Sequence, residues 1–146
     1  MSQSDQATIE LDYVLEDQVG YLLRLANQRH AVIFQKHSIE NLTPTQFSAL
    51  IRLSENGEIS QNHLGRLAAM DVATVKGVVD RLKDKGLVQS TPDPADKRRS
   101  IISLSPKGAS LVTDLRGIGL RISEETLVPL TPVERRTLVN LLRKIS

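Results

Sequence analysis

Asp93-Pro94-Ala95-Asp96-Lys97-Arg98-Arg99-Ser100, running on into Ile101-Ile102-Ser103-Leu104, reads as a cationic tip flanked by short apolar strands. Leu87-Val88-Gln89-Ser90 leads in as one strand and residues 100–104 return antiparallel. The loop between them is longer than a minimal hairpin, and Pro92 and Pro94 stiffen it. Just upstream, Val75, Val78, Val79 and Leu82 fall on one face of a helix. A helix followed by a hairpin with a basic tip is the plan of a winged helix-turn-helix, and DNA binding is the first reading it suggests.

Charge distribution agrees with that reading. Formal net charge is only +2. Yet Asp5, Glu10, Asp12, Glu16 and Asp17 meet no Lys or Arg before Gly20. Between Lys76 and Lys107 the bases outnumber the acids, with Arg81, Lys83, Lys85, Lys97, Arg98 and Arg99 among them. A basic region beside an acidic or neutral remainder suits a polyanion held on one face. An ordinary solvated charged surface is the competing account of charge alone.

The 146 residues fit a single domain. Hydrophobic residues make up 40%, but aromatics only 3% and Trp is absent, so the core must be built from Leu, Ile, Val and Ala. Cysteine is absent, which excludes a disulfide framework, a thiolate nucleophile and a thiol redox sensor. No apolar run approaches the ~18 residues of a membrane span, and the first residues do not form a signal peptide. These features predict a soluble, cytoplasmic protein with no membrane partner.

Helix punctuation recurs along the chain. Thr43-Pro44-Thr45-Gln46 and Thr131-Pro132-Val133-Glu134 each offer a hydroxyl N-cap, a proline at the first helical position and a capping-box partner. Ser60, Asp71 and Ser105 are candidate N-caps for three more helices. The first long helix is expected over about 9–36, where Leu11, Val14, Leu15, Val19, Leu22, Leu25, Ala26, Arg29 and Ile33 trace a stripe. Two short helices, about 61–69 and 72–85, follow with a tight join. The last third is helical, with Leu111, Val112, Leu115, Ile118 and Ile122 on one stripe and Leu138, Leu141, Leu142 and Ile145 on another. Docking against the first helix or a second subunit would bury that last face.

Several short motifs occur in one order: Thr43-Pro44-Thr45-Gln46-Phe47, Leu64-Gly65-Arg66-Leu67-Ala68, Val79-Asp80-Arg81-Leu82, Lys85-Gly86-Leu87-Val88, Asp96-Lys97-Arg98 and Leu104-Ser105-Pro106-Lys107-Gly108. Taken in that order and spacing, the chain closely resembles the MarR/SlyA family of bacterial winged-helix transcription regulators, from about Val19 onward. The resemblance implies a mainly α fold with a small β-hairpin wing, residues 1–146 forming one domain. Residues of about 9–42 and 106–146 would be dimerisation helices, and about 43–105 the winged helix-turn-helix. It further implies a homodimer on a palindromic, double-stranded DNA operator. Release would come from a small ligand, often a phenolic or aromatic acid. No cofactor is implied.

The helix beginning near Asp71 should lie in the major groove with its first residues at the base edges. Its inward face leaves Val72, Ala73, Thr74, Lys76 and Gly77 on or near the exposed side. The Arg or Ser that many relatives carry near Val72 and Ala73 is missing. Val72, Ala73 and the Thr74 methyl suit thymine methyls, and Gly77 suits close approach; local packing is the alternative for Val72 and Ala73. Such contacts discriminate weakly beside a bidentate Arg–guanine pair. Gln61, Asn62 and His63 open the preceding helix, where their amides and the helix start suit a phosphate. At the wing, the resemblance implies that Arg98 enters a minor groove while Asp96 orients it, and guanidinium suits the concentrated negative potential there. Lys97 and Arg99 suit phosphates.

Polar residues interrupting the first helix suggest an effector site. Arg24 is placed to pair with a carboxylate, and Tyr21, Phe34 or Phe47 to flank a ring, with Asn27 and His30 nearby. The alternative is that Arg24 and Arg29 make intersubunit ion pairs and His30 is simply packed or exposed. Together these readings give a repressor that senses a small aromatic or heteroaromatic acid. An enzyme is disfavoured, because His30, His37 and His63 lack metal-ligand spacing and neither a phosphate-cradling loop nor a nucleophile motif occurs. A non-specific architectural DNA binder is the main alternative, and a protein-binding winged helix a weaker one.

Overall fold

The structure, a computed structural model, describes residues 12–146. It contains α1 (Val19–His37), α2 (Pro44–Asn56), β1 (Ile59–Ser60), α3 (Gln61–Leu67), α4 (Val72–Asp84), β2 (Val88–Pro92), β3 (Ser100–Leu104), α5 (Pro106–Thr126) and α6 (Pro132–Ile145). The chain divides into two compact units, one reaching Lys36 and the other running from His37 to Ser146.

In the first unit, α1 starts later than the apolar stripe predicts. Residues 9–11 lie outside the described residues. Val14 is extended, Leu15–Asp17 form a single 3-10 turn and Gln18 is extended again. The Gln18 carbonyl then accepts the N–H of Leu22 at 3.1 Å, which sets the first turn of α1. A stripe at helical spacing therefore extended the expected helix by too much, because local backbone geometry at Gln18 overrode it. Along α1, Val19, Leu22, Leu23, Leu25 and Val32 are exposed, while Ile33 and Phe34 are buried.

The second unit is built on a core of Leu50, Leu53, Leu64, Val75, Val79, Leu82, Leu87, Ile102 and Leu115, each under 2% exposed. The anticipated caps form. Thr43 and Thr131 make capping boxes with Gln46 and Glu134, and proline follows each. Ser60, Asp71 and Ser105 accept the main-chain N–H groups of His63, Thr74 and Gly108. Each cap satisfies an amide that the first helical turn cannot pair internally.

The sheet has the order β1-β3-β2, all antiparallel. The hairpin register runs from Val88 opposite Leu104 to Pro92 opposite Ser100. β1, which sequence patterning did not reveal, pairs Ile59 with Ile102 and Ser60 with Ile101. Two residues are too short to show alternation, so only the pairing defines this strand. It ties the start of α3 to the wing.

The wing is fixed onto α5 by backbone contact. Gly86, at φ 73, turns the chain out of α4. The Ser105 hydroxyl then donates to the Gly86 carbonyl at 2.6 Å, and the Ser105 N–H donates to the Leu87 carbonyl at 3.0 Å. A Cβ on Gly108 would lie 2.1 Å from the Leu87 oxygen, so only glycine fits where α5 crosses this strand. At the other end of the unit, α6 buries none of its residues and exposes Leu138, Leu141, Leu142 and Ile145. Among the described residues no helix is long and apolar enough to cross a membrane.

Candidate nucleic-acid interface

α3 and α4 meet at a tight corner. Ala69 is left-handed at φ 55, and the Met70 N–H donates to the Gly65 carbonyl at 2.7 Å. A Cβ on Gly65 would stand 3.2 Å from the Met70 oxygen and 3.3 Å from Val75, so the two helices pack at backbone distance. That packing buries Val75, Val78, Val79 and Leu82 and turns the other side of α4 outward. Val72 is 71% exposed, and Ala73, Thr74 and Lys76 are exposed with it. Gly77 is half-buried.

Asp71 opens α4 by accepting the Thr74 N–H at 2.7 Å. The same bond holds its carboxyl below the usual range, so the cap is anionic at the positive end of the helix. One turn on, the Lys76 ammonium reaches Asp80 at 2.9 Å. Its bond to Asp80 lowers that carboxyl as well. Lys76 therefore projects from the exposed face of α4 as one half of an ion pair.

At the wing tip, the Asp93 N–H donates to the Arg99 carbonyl at 2.9 Å and closes the loop. Asp93 Oδ1 accepts from Ala95 N–H at 2.9 Å, and Asp96 Oδ1 accepts from Arg98 N–H at 3.1 Å. Two successive Asx turns thus shape the tip. Asp96 also meets the Arg98 side chain through Nε at 3.1 Å and Nη2 at 3.4 Å, and Arg99 Nε at 3.7 Å. These bonds, led by the Arg98 side chain, hold the Asp96 carboxyl below its usual range. The Arg98 side chain remains 91% exposed. Lys97 is exposed at the apex.

Residues that sequence patterning treated separately come together here. Ser60, Gln61 and Asn62 line one cleft with Arg98, Arg99 and Ser100. The β1–β3 pairing produces this juxtaposition by holding the start of α3 against the base of the wing. Ser60 was read only as an N-cap and Ser100 only as the start of a strand, and the structure adds both to this cleft. No contact was expected of Arg81 from the sequence, whereas its Nη1 lies 3.4 Å from the Gly77 carbonyl on α4. The i,i+4 spacing of Gly77 and Arg81 was the available signal.

The proposed effector residues fall in both units. Tyr21, Arg24, Asn27, His30 and Phe34 are on α1, where the Arg24 guanidinium carbon lies 5.5 Å from the Tyr21 ring centroid. Tyr21 and His30 are about half a turn out of phase on the helix, so the two side chains leave opposite sides of it. Phe34 is buried and His30 half-buried. Phe47, in the second unit, lines an open, mainly apolar groove of about 530 Å³ with Ile51, Leu115, Arg116, Gly119, Leu120 and Ser123. A Cβ on Gly119 would come within 3.1 Å of the tip of the Phe47 ring, so the glycine leaves room for that ring against α5. Among the described residues no group of three or more His, Cys, Asp or Glu side chains is placed to hold a metal ion.

Comparison with known proteins adds a second line of evidence. The MarR family model matches residues 42–100, which span the start of α2 to the first residue of β3. The HTH-type transcriptional repressor NicR of Pseudomonas putida is 42% identical over 134 residues, covering 91% of this chain and 85% of NicR. A crystal structure of a probable transcriptional regulator from Pseudomonas aeruginosa is similar with a TM-score of 0.87 and 47% identity, covering 91% of this chain and all of that one. BpsR of Bordetella bronchiseptica, whose DNA binding is regulated by 6-hydroxynicotinic acid, is similar with a TM-score of 0.85 and 40% identity. That match covers 91% of this chain and 96% of BpsR.

Proposed function

Since the chain belongs to the MarR family of winged-helix transcription regulators, we propose that it is a cytoplasmic repressor that binds a palindromic operator as a homodimer and is released by a small heteroaromatic acid. The domain assignment follows the same reading. Residues 43–105 bind DNA, while 9–42 and 106–146 join two copies. Exposed apolar side chains support the dimer: Leu22, Leu25 and Val32 on α1, and Leu138, Leu141, Leu142 and Ile145 on α6. Such surface calls for a partner.

One observation carries the DNA reading. The exposed, Asp96-braced Arg98 shares a cleft with the start of α3, next in the chain to an outward-facing recognition helix. In this reading Val72, Ala73 and Thr74 meet base edges from the side of α4 that also carries Gly77, while Asp71 fixes the helix start that presents them. Lys76, Lys97, Arg99, Gln61 and Asn62 hold phosphates, and Arg98 enters a minor groove. Footprinting on DNA selected by the purified protein tests it. A protected palindrome with half-sites about one helical turn apart is expected. Protection without a preferred sequence would instead mark an architectural binder.

The acid reading rests on Arg24, which would fork a carboxylate, with Tyr21 beside it and Asn27, His30 and Phe34 as further candidate contacts on α1, and with Phe47 as a separate candidate in the second unit. The regulation of BpsR by 6-hydroxynicotinic acid supports a heteroaromatic acid in particular. A thermal-shift and gel-shift screen of such acids, 6-hydroxynicotinic acid included, should find one that stabilises the protein and releases DNA. If none does, the ligand class is wrong.

A further inference from the structure

Gly77 sits in the middle of the recognition helix, where glycine is unfavourable relative to alanine, so its presence calls for a reason. Close approach of DNA was the reason suggested by sequence. The structure places something else over it. Helical side chains lean toward the N-terminus, so Arg81 reaches back one turn. Its Nη1 lies 3.4 Å from the Gly77 carbonyl, and a Cβ on Gly77 would stand only 3.2 Å from that nitrogen.

We propose that Arg81 is a DNA-contacting residue that seats a backbone phosphate on the flank of the recognition helix, and that Gly77 makes room for its guanidinium. The inference rests on the DNA-binding reading above and adds a residue to it. Arg81 is exposed and borders a cleft of about 370 Å³ with Thr43 and Thr45 from the start of α2 and Ala73, Thr74 and Gly77 from α4. A guanidinium fork beside threonine hydroxyls is a donor set that matches phosphate. Asp80, the adjacent carboxylate on the helix, is engaged by Lys76 at 2.9 Å. On the helix, Arg81 lies on the Thr74 side, away from Val72 and Lys76, rather than at the outermost line through Ala73 and Gly77. A helix seated in a groove presents such a flank to the strand backbone, where phosphate contacts set its register. The competing account is that Arg81, near the end of α4, only complements the helix dipole.

Anisotropy titrations over a salt series separate these accounts, using a duplex the protein selects from a random pool and a duplex of unrelated sequence. Binding of the wild-type protein tests the DNA reading by itself: if it binds neither duplex, that reading fails. With wild-type binding in hand, Arg81→Ala should weaken both duplexes by about tenfold. It should also flatten the slope of log affinity against log salt by about 0.9 for each bound subunit. Arg81→Lys should keep the slope. Gly77→Ala should weaken binding in the wild-type background but not in the Arg81→Ala background. Unchanged affinity and slope for Arg81→Ala overturns the proposal, as does a loss confined to one base position. An equal effect of Gly77→Ala in both backgrounds overturns the link between the two residues. A lowered melting midpoint for Arg81→Ala with unchanged DNA affinity makes the charge a helix-end contact only, which also overturns the proposal.

Discussion

The Asp96 carboxylate holds Arg98 at two points, accepting its main-chain N–H at 3.1 Å and its side-chain Nε at 3.1 Å. The first bond shapes the turn and the second aims the side chain. A guanidinium that is 91% exposed is thereby restrained before any DNA arrives. Restraint in the free protein lowers the ordering cost of binding.

Removing the guanidinium should cost more than removing its brace. Arg98→Ala is predicted to weaken operator binding about tenfold or more while the dimer persists, read by gel shift and size-exclusion chromatography. Asp96→Ala should weaken binding less, and should cost less in the Arg98→Ala background than in the wild type, since its side-chain bonds to Arg98 are already gone there and only the turn bond and the Arg99 pair remain. Fully additive losses would mean that Asp96 acts only through the turn and Arg99, and does not brace the Arg98 side chain.

The same pair gives a pH prediction. Hydrogen bonds from Arg98, and secondarily the charge of Arg99, lower the Asp96 carboxyl below its ordinary 3.8. A lowered value in the ordered wing means that its contribution is complete above the ordinary value and lost as pH falls through the lowered one. DNA affinity should therefore show no Asp96 titration between about pH 5.5 and 7.5. A step in that window that disappears in Asp96→Asn would contradict the assignment.

Much of this arrangement was legible in the sequence because it is local. The five N-caps follow from a hydroxyl or carboxylate standing just before each helix, and the wing follows from alternating strands around a Pro- and Asp-rich loop. What escaped depends on contacts distant in sequence or on backbone shape. β1 exists only through its pairing with β3, and the cleft that joins Asn62 to Arg98 follows from that pairing. The start of α1 was misjudged because the stripe through Val14 and Leu15 has helical spacing, whereas Gln18 is extended. Gly77 was read as open, and only the side chain of Arg81 shows that it is covered.

Lys76 makes a different kind of prediction, because it is exposed yet paired with Asp80 at 2.9 Å. Lys76→Ala should weaken binding evenly across sequences and flatten the salt dependence. It would also strip Asp80 of its ion-pair partner on α4, leaving only the more distant charges of Lys83 and Arg81. The double variant Lys76→Ala/Asp80→Asn should therefore bind better than Lys76→Ala alone. Loss confined to one base position, found by binding-site selection, would show base reading instead.

Gly108→Ala tests how the wing is carried. Its Cβ would stand 2.1 Å from the Leu87 carbonyl oxygen, a backbone atom that cannot rotate away. Overpacking at a junction of this kind costs about 1–3 kcal/mol, and more where, as here, the obstacle is backbone. The variant should melt far below the wild type or accumulate in insoluble form. A near-native melting midpoint would mean that the start of α5 and the Leu87 backbone before β2 move apart freely.

Lys85 links the end of the recognition helix to the segment that precedes α2. Its ammonium donates to the Glu40 carbonyl at 2.8 Å, the Asn41 carbonyl at 2.8 Å and Gln46 Oε1 at 3.1 Å. Glu40 and Asn41 are both left-handed, at φ 57 and 53, a backbone state that non-glycine residues adopt at a cost. The lysine offsets that cost by gathering two carbonyls that the left-handed turn points the same way. Lys85→Met keeps the aliphatic stem and removes the donor, so it should destabilise the fold by about 1–3 kcal/mol in thermal or denaturant unfolding. Adding Asn41→Gly removes part of the left-handed penalty and should recover part of the loss. An unchanged unfolding midpoint in Lys85→Met would show that the turn holds without the lysine, and that α4 is not anchored through it.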